Sequence, residues 1–67
     1  MDKKFDILTK IGIYKKNLID TDYQAIKFME GELTAEEYAP MKEQRKQWRE
    51  QINALEIELQ KIVDNAN

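Results

Sequence analysis

The chain has no cysteine, no histidine and no serine, and these absences remove much of catalytic and metal-binding chemistry before any motif is sought. Without cysteine there is neither a disulfide nor a thiolate metal centre, and without histidine a zinc or iron ion would have only carboxylates to bind. Nucleophilic and acid–base catalysis need a reactive group held in a pocket with a shifted pKa, and only three threonines stand in for the missing nucleophiles. Thr9 and Thr34 have ordinary helical and capping roles, and Thr21 lies among helix-breaking neighbours. Paired carboxylates such as Glu36 and Glu37, or Asp20 and Asp22, do not share a helix face and read as surface charge. No glycine-rich phosphate loop, dinucleotide fingerprint or metal-ligand spacing occurs, so neither enzymatic activity nor a cofactor is expected.

Long apolar runs are missing too. Nothing approaches the ~20 apolar residues that span a bilayer, and the opening MDKKFDILTKIG mixes charge among its apolar residues instead of presenting a signal-peptide core. A soluble, unsecreted protein without a membrane partner is expected, since acidic residues on every helix also argue against lying on a membrane surface. The formal charge of −2 supplies no overall field to draw in nucleic acid.

What remains is a helix-forming composition. With one proline, two glycines, 42% hydrophobic and 36% charged residues, the chain is too apolar for a disordered acidic tail and reads as one small helical domain. At 67 residues a single core seldom leaves more than about 3–5 kcal/mol of net stability, and with disulfides and metals excluded, oligomerisation is the expected source of more.

Apolar spacing divides the chain into helices. Phe5, Leu8, Ile11, Leu18 and Ile19, with Ile7 and Tyr14, form a broad stripe that predicts a helix over 4–19. Gly12 inside it costs about 1 kcal/mol relative to alanine and permits close backbone approach. Asp20-Thr21-Asp22 offers capping oxygens, which predicts a break before a second short helix over 22–30 that buries Tyr23, Ile26 and Met29 or Phe28 and closes at Gly31. Thr34-Ala-Glu-Glu37 is a capping box. Pro40 lies uncomfortably deep behind that cap, so a turn over 35–39 is expected to kink or restart into a long helix over 40–64.

On the long helix Met41, Arg45, Trp48, Ile52, Leu55, Leu59 and Ile62 alternate intervals of four and three, a heptad seam that demands another helix. At 1.5 Å per residue the helix spans roughly 37 Å, about what the two short helices cover end to end. The expected fold is therefore all-α: a helical hairpin bent at the GELT turn, with two short N-terminal helices antiparallel to the long one. Ile13, Phe28, Ile57 and Val63 fall off any single stripe, and such leftover apolar surface marks an interface. Pairing two hairpins into a helical bundle would bury it, a dimer being favoured over a trimer or a foreign helix. The expected interface comprises Met41, Arg45, Trp48, Ile52, Leu55, Ile57, Leu59 and Ile62.

Charge is arranged in blocks. Residues 20–37 hold Asp20, Asp22, Glu30, Glu32, Glu36 and Glu37 against the single Lys27, an acidic surface suited to docking on a basic partner. Lys42, Arg45, Lys46 and Arg49 surround Trp48 as in single-strand readers that stack bases on aromatics. Trp48 occupies a seam position, however, and Glu43 and Glu50 dilute the patch, so nucleic-acid binding ranks behind protein association. Arg45 is expected to pack its stem in the seam and pair with a carboxylate or cross to a partner.

Residues 14–56, YKKNLIDTDYQAIKFMEGELTAEEYAPMKEQRKQWREQINALE, carry five linked features. A Leu-x-x-Thr-Asp-Tyr opening (Leu18, Thr21, Asp22, Tyr23) leads to an Ile-Lys step (Ile26, Lys27) and a Glu-Gly turn (Glu30, Gly31). A Thr-x-Glu-Glu-Tyr restart (Thr34, Glu36, Glu37, Tyr38) and an Arg-x-x-Trp-Arg-x-x-Ile-Asn finish (Arg45, Trp48, Arg49, Ile52, Asn53) complete it. This pattern resembles a small helical module of tail, baseplate and tail-fibre-assembly proteins of tailed bacteriophages of Gram-positive hosts. The resemblance implies no enzymatic activity, only assembly or attachment within a tail, in the host bacterial cytoplasm or the virion. That module usually trails a larger protein, whereas here it opens at Met1 and is expected to stand alone. This raises a second role, a small phage-encoded inhibitor of a host or anti-phage defence protein that docks through the acidic block.

Overall fold

A computed structural model describes residues 2–65 and consists of two helices, α1 (Lys3–Met29) and α2 (Ala35–Asn65), packed as an antiparallel hairpin. The two short N-terminal helices expected from the sequence are one continuous helix. Each polar side chain of the supposed break has a partner that suits a helix interior. Thr21 donates its hydroxyl back to the carbonyls of Asn17 and Leu18, at 2.8 and 3.2 Å. Asp20 takes Lys16 one turn earlier at 3.2 Å, and Asp22 accepts from Arg45 across the hairpin at 2.8 Å. Residues with cap chemistry stay helical when their side chains find such bonds and leave the backbone ladder intact.

The ends are fixed by side chains and by one glycine. Asp2 caps α1, its carboxylate accepting from the Lys4 N–H at 3.0 Å. At the other end Gly31 adopts φ 81°, and the N–H groups of Gly31 and Glu32 bond back to the carbonyls of Phe28 and Lys27, the Schellman arrangement that only a residue tolerant of the left-handed region allows cheaply. Helix α2 restarts through a reciprocal box: the Glu37 N–H donates to the Thr34 hydroxyl at 3.0 Å, and the Thr34 N–H donates to the Glu37 carboxylate at 2.9 Å. The Thr34 backbone N–H, followed by the Thr34 side chain, holds the Glu37 carboxyl below the usual glutamate range. Pro40 neither begins nor interrupts α2, which passes through it. It lies near the capped end, and the Glu36 carbonyl it fails to bond sits in an exposed turn open to water.

The molecule is a rod of 50 × 16 × 15 Å. Its radius of gyration, 15.4 Å, exceeds the roughly 11 Å of a compact domain of this length. The core is correspondingly thin. Ile7, Ile11 and Ile52 form its buried centre, with Tyr14, Leu18, Leu55, Leu59 and Ile62 packed partly buried around them. Tyr38 is buried at the turn end, where its ring stacks on Phe28 with centroids 4.7 Å apart. No side chain among the described residues falls below 2% exposure, so nothing is sealed as deeply as the centre of a globular domain.

Candidate association surfaces

The inner surface of the hairpin is built from two matched seams. On α2, Ile52 is buried and Met41, Arg45, Trp48, Leu55, Leu59 and Ile62 are partly buried, whereas Ile57 points outward at 60% exposure. On α1 the facing residues are Ile7, Ile11, Tyr14, Leu18, Thr21, Ala25 and Phe28, which also alternate intervals of four and three. Equal spacing on both helices keeps the two stripes in contact along their length. The heptad residues expected to form an interface thus lie between the two helices of one chain, incompletely covered, with Ile57 standing apart from them.

Arg45 organises the middle of this seam. Only 12% of its side chain is exposed. One terminal nitrogen donates to the Leu18 carbonyl at 2.8 Å and to the Thr21 hydroxyl at 2.6 Å, and the other donates to Asp22 at 2.8 Å. A planar guanidinium meets three acceptors in a fixed fork, so the contact fixes register as well as charge balance. Ion pairing with a carboxylate is thus satisfied within the chain.

The acidic set is wholly exposed, but its members are not equally free. Asp20 is held by Lys16, Asp22 by Arg45, and Glu37 by the cap. Glu30, Glu32 and Glu36 form no ion pair among the described residues and cluster at the turn end of the rod.

Most of the exposed large apolar side chains lie elsewhere, on α1. Phe5, Leu8, Ile19, Tyr23 and Ile26 are 46% to 69% exposed. They line a second stripe roughly 140° round the helix axis from the inner one, at 100° per residue. Gly12 belongs to this stripe, and a Cβ built there would meet nothing within 4 Å. Spacing places Phe5, Leu8 and Ile19 on the same buried face as Ile7 and Ile11, and Tyr23, Ile26 and Met29 or Phe28 in the core of a separate helix. The structure exposes Phe5, Leu8, Ile19, Tyr23, Ile26 and Met29 and covers only Phe28 of the later group. The sequence signal for a second face was the breadth of the stripe: apolar residues at both 7 and 8, and at both 18 and 19, cannot all face one neighbour.

Among the described residues no helix is long and apolar enough to cross a membrane, no carboxylate cluster is placed to hold a metal ion, and no pocket opens on the surface. No family model matches the sequence, and no curated protein or solved structure is similar to it.

Proposed function

We propose that this chain is a non-enzymatic association module that works by packing helix faces against another protein chain, itself included. The observation that carries the reading is the outer stripe of α1: five large apolar side chains left in solvent on one face of a protein whose buried core is only a few residues deep. Exposed apolar side chains gathered on one face mark an interface, and a thin small domain without disulfide or metal gains stability by covering them. The resemblance of residues 14–56 supplies the setting, a phage protein acting in tail assembly or within the virion. Sedimentation of the purified chain at micromolar concentration tests the reading. Self-association is expected, and a compact, stable monomer counts against it. Recovery of the chain by mass spectrometry from purified phage particles tests the tail setting.

A second reading, a small inhibitor of a host or defence protein, is favoured by the unpaired Glu30, Glu32 and Glu36 gathered at one end of the rod. Because Glu37 is committed to the cap, the informative variant is Glu30→Lys with Glu32→Lys. Complex formation with a defined basic partner should weaken, and unchanged binding removes the electrostatic version.

A further inference from the structure

We infer that the partner for the outer face of α1 is the α1 helix of a second copy, running antiparallel about a two-fold axis that passes between Lys15 and Lys16. The inference rests on the association reading and adds to it the face, the direction and the register.

Three observations carry it. First, the stripe is self-complementary under that axis: Phe5 falls opposite Ile26, Leu8 opposite Tyr23, and Gly12 opposite Ile19. A two-fold interface requires that each residue's partner in turn meet the first, and all six positions satisfy the requirement at once. Second, sizes match. Gly12 leaves open space on the outside of α1, and the residue brought over it is the branched Ile19, which is 69% exposed and has no cover in its own chain.

Third, the glycine has no purpose inside the hairpin. Within a helix it weakens the chain relative to alanine, yet no neighbouring atom lies near enough to require its missing side chain. Close approach of another helix is the remaining use for it. At the ends this register sets Lys4 of each copy opposite Lys27 of the other, while Lys3 turns toward α2 and pairs with Glu58 at 3.7 Å, so charge there does not favour pairing.

The centre works against pairing, because two lysines from each copy surround the axis. Lys16 is already bonded to Asp20 in its own helix, at 3.2 Å. The long stem of Lys15 can cover apolar surface while its ammonium stays in water. The resulting assembly is a layer of four helices, α1 and its mate inside and the two α2 helices outside.

The full chain lacks cysteine, so single-cysteine variants test direction and register cleanly. A residue beside the axis meets its own copy. Lys15→Cys should therefore give a disulfide-linked dimer under mild oxidation. Phe5→Cys should not, since two copies of residue 5 lie at opposite ends of the interface. In sedimentation the wild-type chain should be dimeric, and Ile19→Glu should sediment as a monomer with an unchanged far-UV spectrum, since Ile19 is 69% exposed and lies outside the core packed between the helices. A wild-type monomer overturns both this inference and the association reading. A wild-type dimer that survives Ile19→Glu, or that cross-links through Phe5→Cys in place of Lys15→Cys, overturns this inference and leaves association standing.

Discussion

Helix α2 presents one apolar stripe, and α1 covers much of it; α1 presents two, and α2 covers one. The contrast separates folding from association. The regular seam of α2, from Met41 to Ile62, is the more conspicuous pattern in the sequence, and that regularity suits it to a partner tied to it by a short turn. The stripe left over belongs to the helix whose apolar residues are more numerous and less orderly. In a two-helix protein the cleanest seam is the intrachain contact, and surface available to other molecules is found on the helix that carries more apolar residues than one neighbour can cover.

Substitutions on each face should separate the two roles, and the largest effect belongs to the inner seam. Ile52→Ala removes the centre of the core, and such truncations cost about 2–5 kcal/mol, enough to unfold a domain with roughly 3–5 kcal/mol to lose. Its urea transition should vanish or shift far toward zero denaturant. Ile57→Ala, one and a half turns away on the outside of the same helix, should change stability by no more than about 0.5 kcal/mol.

Next comes the seam's one charged residue. Arg45→Ala leaves the Thr21 hydroxyl and the Leu18 carbonyl short of a donor, a loss of about 1–3 kcal/mol readable as a lower denaturation midpoint. Arg45→Lys should recover only part of it, because a single ammonium cannot reproduce the fork.

The sharpest test of the contrast is Gly12→Ala. The hairpin alone should gain about 1 kcal/mol from better helix propensity, while the added methyl group obstructs the approach of Ile19 from a second copy. Thermal melts should therefore show a higher midpoint at low protein concentration and a weaker rise with concentration than the wild type. A rise that is unaffected would place the contact elsewhere.

The smallest effects lie at the turn. Thr34→Ala should lower stability by about 1 kcal/mol through loss of the cap. The Glu37 carboxyl is held below its ordinary range in the folded chain, so its contribution is complete at neutral pH and is lost as pH falls through that range toward the depressed value. Glu37→Gln should flatten this part of the stability profile measured from neutral pH into acid.

Much of this architecture is legible in the sequence because its signals are local. The capping box at Thr34 and Glu37, the closing glycine at 31 and the alternating intervals of α2 each depend on residues within a few positions of one another. The continuity of α1 was hidden because one of the contacts that hold it is not local. Asp20-Thr21-Asp22 has the composition of a helix start, and it stays helical with Arg45, more than twenty residues away, as its acceptor-seeking partner. Pro40 misled for a related reason: the cost of a proline depends on whether the carbonyl it strands can reach water, which spacing does not reveal. The outer stripe was hidden by its neighbours, since Phe5, Leu8 and Ile19 join Ile7, Ile11 and Leu18 in one broad helical pattern until the position of α2 divides them.

Sedimentation equilibrium on three chains, the wild type, Ile19→Glu and Ile57→Glu, tests most directly whether the outside of α1 is the surface that recruits a second copy. A dimeric wild type, a dimeric Ile57→Glu and a monomeric Ile19→Glu are the expected results. A monomeric wild type, or a dimer broken by Ile57→Glu and untouched by Ile19→Glu, would contradict the account.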